Sequence, residues 1–130
     1  MITISKKVEY SIELMSFLTK KHGKIVSLME ASKILHLPYR FLGQVAIDLR
    51  KGGIIEGKEG KSGGYLLMKD WKDKSLYDLL EALGENKGMV KCLGGGEKCI
   101  RENGCKMRNI WQKLEENFLN DLKKIKLCEI

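Results

Sequence analysis

Three cysteines, Cys92, Cys99 and Cys105, stand in the run CLGGGEKCIRENGC with six and then five residues between them. Thiolates are the natural ligands of iron–sulfur clusters, and intervening glycines let a loop fold around an inorganic core and turn backbone N–H groups toward its sulfides. Structural zinc sites usually contain a pair of ligands two to four residues apart, and this run has none. Zinc and unligated redox thiols stay open as competing readings. A disulfide framework is disfavoured in a chain read as cytoplasmic, where thiols are kept reduced. No fourth ligand is evident from spacing. Cys128 follows a helix of about twenty residues, which at ~1.5 Å per residue sets it on the order of 30 Å from Cys105 unless another chain supplies it. It reads as a partly buried or spare thiol. His22 and His36 lie in the front half and read as surface residues.

A second group of residues has the chemistry to read nucleic acid. Pro38, Tyr39, Arg40 and Gln44 open one helix. An arginine can pair both major-groove acceptors of guanine, and a glutamine can pair donor and acceptor on adenine. Downstream, Lys58, Lys61 and Ser62 alternate with glycines that include Gly63 and Gly64, a turn whose backbone can approach phosphate while the lysines neutralise it. Ser27, the cap of the preceding helix, is grouped with these candidates. The plain alternative is a solvated helix face and a surface hairpin without a partner.

Both groups need elements to hold them. Val8, Ile12, Met15 and Leu18, with Leu14 and Phe17 beside them, predict an amphipathic helix over residues 5–19, ended by the run 20–23. Ser27 and Glu30 form a capping-box pattern ahead of Ala31, Ile34 and Leu35, and Pro38 stops that helix near residue 36. Pro38 then serves as the first residue of a third helix, with Phe41, Leu42, Val45 and Leu49 as its buried stripe and Gly52-Gly53 as its end. Ile54 to Glu56 and Tyr65 to Met68, around a turn from Gly57 to Gly64, predict a hairpin. Three helices followed by a hairpin make a winged helix-turn-helix.

Ser75 and Asp78 open a fourth helix through Leu76, Leu79, Leu80 and Leu83. Residues 84–105 hold six glycines and the three cysteines, an irregular stretch of the kind that is usually functional. A last helix from about 106 to 126 carries Trp111, Leu114, Phe118, Leu122 and Ile125, with Ile110 and Leu119 widening the stripe. That much apolar surface on a terminal helix predicts burial against a second copy. The expected fold is therefore mainly α with a small β hairpin. Residues 1–83 form the winged helix-turn-helix domain, 84–105 the cysteine loop, and 106–130 the dimerisation helix and tail.

Composition agrees. A chain of 130 residues supports one core, and no apolar run is long enough to span a membrane or to act as a secretion signal. The net charge of +7 is concentrated at the front: residues 1–69 carry twelve Lys/Arg against six Asp/Glu, and residues 70–130 twelve against eleven. Such a field favours polyanionic partners, although a solvated lysine-rich surface has the same composition. No nucleophile–base pair, P-loop or helix-borne metalloprotease motif is present, so an enzyme is not expected.

The stretches SKKVEYSIELM, LPYRFLGQVAIDLRKGGII and SGGYLL, followed by three spaced cysteines and a long helix, resemble the winged-helix iron–sulfur transcription regulators of the IscR/NsrR type, the Rrf-two family. The resemblance covers nearly the whole chain. It implies a homodimer joined through the C-terminal helix, binding a roughly palindromic site on double-stranded DNA. It also implies a 2Fe–2S or 4Fe–4S cluster on Cys92, Cys99 and Cys105 that responds to a small-molecule signal or to iron or cluster supply. IscR-like members have a histidine three residues after the third cysteine, where this chain has Arg108. NsrR-like members use an acidic residue just before the first-helix tyrosine, supplied by the partner subunit, which maps to Glu9; helix-start electrostatics explains that residue as readily. Glu59 replaces the arginine many members carry in the wing, leaving Lys58 or Lys61 for that contact. The expected function is a regulator, of repressor type, switched by its cluster. The same regulator controlled by zinc or thiol oxidation is the nearest alternative, and an electron carrier the more distant one.

Overall fold

The computed structural model describes residues 4–95 and 98–130. Five helices and one hairpin follow in order: α1 (Lys6–Lys20), α2 (Leu28–Leu35), α3 (Tyr39–Lys51), β1 (Ile55–Lys58), β2 (Gly64–Leu67), α4 (Leu76–Ala82) and α5 (Lys106–Lys124). Short 3₁₀ turns at Trp71–Asp73 and Leu127–Glu129 flank α4 and end the chain. The mainly helical winged architecture is the one expected.

The starts of α1, α2 and α4 have a local cause in a serine cap. Ser5 accepts from the backbone N–H of Val8, Ser27 from that of Glu30, and Ser75 from that of Asp78. At Ser75 the box is reciprocal, because the Asp78 carboxylate also accepts from the Ser75 backbone N–H at 2.6 Å and its hydroxyl at 2.9 Å. At Ser27 it is not: Glu30 turns away to pair with Lys21 at 2.8 Å. Pro38 caps α3 from outside it, so the helix begins one residue later than expected. His36, with φ of 55°, adopts the left-handed conformation that ends α2 and makes the turn into α3.

The core is built by the helix-turn-helix half. Leu14, Leu18, Leu42, Val45, Ala46, Leu49, Ile54, Ile55 and Leu79 are buried completely or nearly so. Two expected core positions differ. Phe41 is 39 % exposed and meets Tyr10 edge to face, while Ala46 takes the buried place on α3. Ile34 is also exposed, leaving Ala31 as the buried contact of α2. Ala46 stands four residues after Leu42 and three before Leu49, inside the buried stripe, whereas Phe41 lies at its edge against Tyr10 of α1.

The hairpin is antiparallel, with Ile55 opposite Leu67 and Lys58 opposite Gly64. Its strands run further than expected, so the connecting loop is only Glu59 to Gly63. A third segment joins it: Val26 and Tyr65 exchange backbone hydrogen bonds of 2.9 and 2.8 Å. Gly64 makes that approach possible, because a Cβ there would lie 2.2 Å from the Val26 carbonyl oxygen. Near the C-terminus, Leu76 N–H donates to Ile125 and Leu127 N–H to Lys74, which ties the tail to the start of α4 and buries Leu127.

The helix α5 is packed differently. Only Leu122 is buried on it, at 7 % exposure, while Ile110, Trp111, Leu114 and Phe118 present a continuous apolar face to the outside. Between α1, α4 and α5 an open cleft of about 390 Å³ remains, lined by Val8, Ile12, Leu80, Phe118 and Leu119 among others.

Candidate nucleic-acid interface and cysteine loop

On α3 the buried side chains Leu42, Val45, Ala46 and Leu49 define the inward face, so Arg40, Gln44, Ile47 and Lys51, at spacings of four, three and four, share the outward one. Arg40 and Gln44 are exposed there as expected, with Tyr39 at the helix start. Ile47, 42 % exposed, and Lys51 belong to the same face and were not singled out from the sequence. A hydrophobic side chain at the centre of a solvent face suits a thymine methyl group. The first turn of α3 contains no acidic residue.

The hairpin's Lys58, Lys61 and Ser62 are exposed. Lys58 lies 3.7 Å from Glu56, a half-exposed pair that leaves its ammonium available to a stronger anion. Gly63 and Gly64 have a structural duty: a Cβ on Gly63 would fall 2.3 Å from the Lys58 carbonyl oxygen, and Gly64 admits the Val26 strand. Ser27 uses its hydroxyl to cap α2.

The cysteine loop springs from Gly84, whose φ of +71° ends α4, and returns at Cys105, the cap position of α5. Residues 88–94 close on themselves. A Cβ on Gly88 would lie 2.3 Å from the Gly94 nitrogen, and Val90 accepts from the N–H groups of Leu93 and Gly94. Met89 N–H anchors this turn to Glu115 of α5 at 2.8 Å. Cys92 and Cys105 are half-buried, and Cys99 and Cys128 are exposed, so Cys128 is a surface thiol rather than a partly buried one. Arg108 stands in the first turn of α5 and donates to Glu102 of the loop. Its hydrogen bond to Glu102 raises its pKa, and it lies close enough to Cys92 and Cys105 for both thiols to act in the same direction.

Among the described residues no three Cys, His, Asp or Glu side chains are gathered at metal-binding distance. Gly96 and Glu97, between the first and second cysteines, lie outside the described residues. The donor set fits a thiolate-ligated cluster in kind. Glu9 sits in the first turn of α1 and pairs with Lys6 at 2.6 Å, a hydrogen bond that raises the Lys6 pKa. Within one chain it is not grouped with the cysteines.

Taken together, these features define a winged helix-turn-helix protein with an appended cysteine loop and a terminal helix. The profile of the Rrf2 family, described as "Iron-dependent Transcriptional regulator", matches residues 4–130, and the chain belongs to that family of transcription regulators, which are DNA-binding proteins and not enzymes. An HTH-type transcriptional regulator of Haemophilus influenzae is 33 % identical over 103 residues, 77 % of this chain and 68 % of that protein. IscR of Yersinia pestis is 30 % identical over 105 residues, covering 81 % of this chain and 63 % of the relative. Among solved structures, CymR, the global cysteine regulator of B. subtilis, superimposes with a TM-score of 0.74 at 24 % identity over 98 % of this chain and 94 % of its own. IscR of T. potens gives 0.72 at 22 % over 98 % and 84 %. The oxidized form of Staphylococcus aureus CymR gives 0.68 at 26 % over 97 % and 93 %.

Proposed function

We propose that this chain is a cytoplasmic, homodimeric repressor that reads a near-palindromic DNA site and whose binding is set by an iron–sulfur cluster on Cys92, Cys99 and Cys105. The observation that carries the reading is the position of the cysteine loop, rooted between the last helix of the helix-turn-helix half and α5, with Cys105 at the cap position of α5 and Glu102 of the loop bonded to Arg108. In this reading Arg40 pairs guanine, Gln44 contacts a neighbouring base, and Lys58 and Lys61 neutralise phosphates. The apolar face of α5 lies against the partner. Glu9 of the partner is the fourth ligand, an oxygen donor that holds iron less softly than thiolate and releases more readily. When bound, the cluster supplies a centre that a redox change or a small molecule can attack. Arg108 lowers the cost of gathering thiolate charge.

A second reading has an observation of its own. The thiols are not assembled in this structure, and Cys99 is exposed. Control by thiol oxidation or by zinc fits that state, and one of the structural relatives is a CymR in an oxidized form. Iron, sulfide and visible absorption of protein purified without oxygen, followed by selection of genomic DNA with and without the cluster, separate the two. Near-stoichiometric iron and sulfide with cluster-dependent selection supports the first reading. Protein that stays colourless after reconstitution yet selects a palindromic site supports the second.

A further inference from the structure

Three polar side chains from α1 and α3 form a chain that ends on the outward face of α3. Lys7 of α1 sits 2.8 Å from Asp48 Oδ2 and donates a second hydrogen bond to the Leu83 carbonyl oxygen at 2.6 Å, at the end of α4. The other Asp48 oxygen, Oδ1, accepts from Gln44 Nε2 at 3.2 Å. The Lys7 and Asp48 side chains are only 26 % and 15 % exposed, so this pair is screened far less than the surface pairs elsewhere on the chain. Its geometry is held by its surroundings: Gly52, one turn beyond Asp48, is packed so closely against α4 that an added Cβ would lie 2.4 Å from that of Ala82.

A carboxylate only accepts hydrogen bonds and an ammonium only donates them. The edge of the Gln44 amide facing Asp48 must therefore be its NH₂ group, and its oxygen is the end left for a partner outside the protein. An exposed glutamine without such a neighbour turns either end outward.

We propose that Asp48, held by Lys7, is a specificity-positioning residue that fixes the Gln44 amide with its oxygen toward the major groove, selecting a base that offers an amine there. The bases that do so are adenine through N6 and cytosine through N4. Guanine and thymine present an oxygen at the equivalent place and are disfavoured. The inference deepens the DNA-reading role of α3 given above and rests on it.

The test is selection from a randomised duplex pool by the full chain, comparing wild type with Gln44→Ala, Asp48→Ala and the isosteric Asp48→Asn. Gln44→Ala identifies the base pair the glutamine reads, and there wild type favours adenine or cytosine by on the order of tenfold. Asp48→Ala flattens that preference and leaves the other positions of the motif unchanged. Asp48→Asn goes further: Lys7 claims the new amide's oxygen, its NH₂ turns to Gln44, and Gln44 must present its own NH₂ outward. Preference at that one base pair then shifts toward guanine or thymine, an outcome a merely structural role for Asp48 does not produce. If Asp48→Asn folds, judged by an unchanged circular dichroism spectrum, and keeps the wild-type preference, the proposal is overturned while the DNA-reading role stands. If Gln44→Ala alters no position, or wild type selects no motif, that role of Gln44 fails and takes the proposal with it.

Discussion

The helix-turn-helix half and the segment beyond α4 are built to opposite standards. In the first, every helix start has a capping partner or a proline, and Leu42, Val45, Leu49 and Ile54 are wholly buried. In the second, the loop carries its cysteines half-buried or exposed, and α5 leaves Trp111, Leu114 and Phe118 uncovered. A reading head must keep its side chains in register with a rigid double helix, so its framework is dense. In the function proposed above, the second segment gains a cluster or a partner chain and completes its packing only when they arrive.

That contrast can be broken at several points. Replacing Cys92 and Cys105 together by serine is expected to abolish iron and sulfide incorporation, while the unfolding free energy of the metal-free chain changes by less than about 0.5 kcal/mol, since neither thiol is in the core. Metal analysis and urea unfolding check the two halves of that statement. Conversely, Leu49→Ala opens a cavity in the dense half and should cost ~2–5 kcal/mol in urea unfolding without altering cysteine chemistry. Equal destabilisation by both changes would show that the two regions share one cooperative core.

Smaller effects sharpen the same division. Alanine at both Lys58 and Lys61 should weaken DNA binding uniformly across sequences and lower the slope of log affinity against log salt by about 2, measured by fluorescence anisotropy in a salt series. Ser75→Ala removes a cap at the junction of the two regions and should cost about 1 kcal/mol. Burial raises the pKa of Asp78, but hydrogen bonds from the Ser75 backbone and hydroxyl, with Lys74 and Lys126 nearby, outweigh it and hold the carboxyl below its ordinary value. Its contribution is therefore present above about pH 4 and lost as pH falls through the lowered pKa, so Asp78→Asn should flatten the acid arm of the stability profile.

Much of this architecture was legible in the residue order. The Ser-based caps, the proline before α3, the alternation around the hairpin and the apolar stripe of α5 are local signals, and local geometry obeys them. The partial exposure of Phe41 was not legible, because it depends on the edge-to-face contact with Tyr10 of α1. Nor was the duty of Gly64, which lies in admitting Val26 from a segment far back in the chain. For the candidate site, the outward positions of Arg40, Gln44 and Ile47 followed from helical period, although an exposed Ile47 was not marked as a candidate for base contact.

By itself the sequence determined the element order, the helix ends, and which side chains have the chemistry suited to bases, phosphates or metal. Each of these depends on neighbours within a few positions along the chain, where backbone propensity and side-chain chemistry act directly. Tertiary structure alone decided that Lys7 would reach Asp48 and the Leu83 carbonyl, that Met89 of the loop would bond Glu115, and that most of α5 would stay uncovered. The Lys7 relations join residues 41 and 76 positions apart, and only the packing of α1 against α3 and α4 brings those groups within reach.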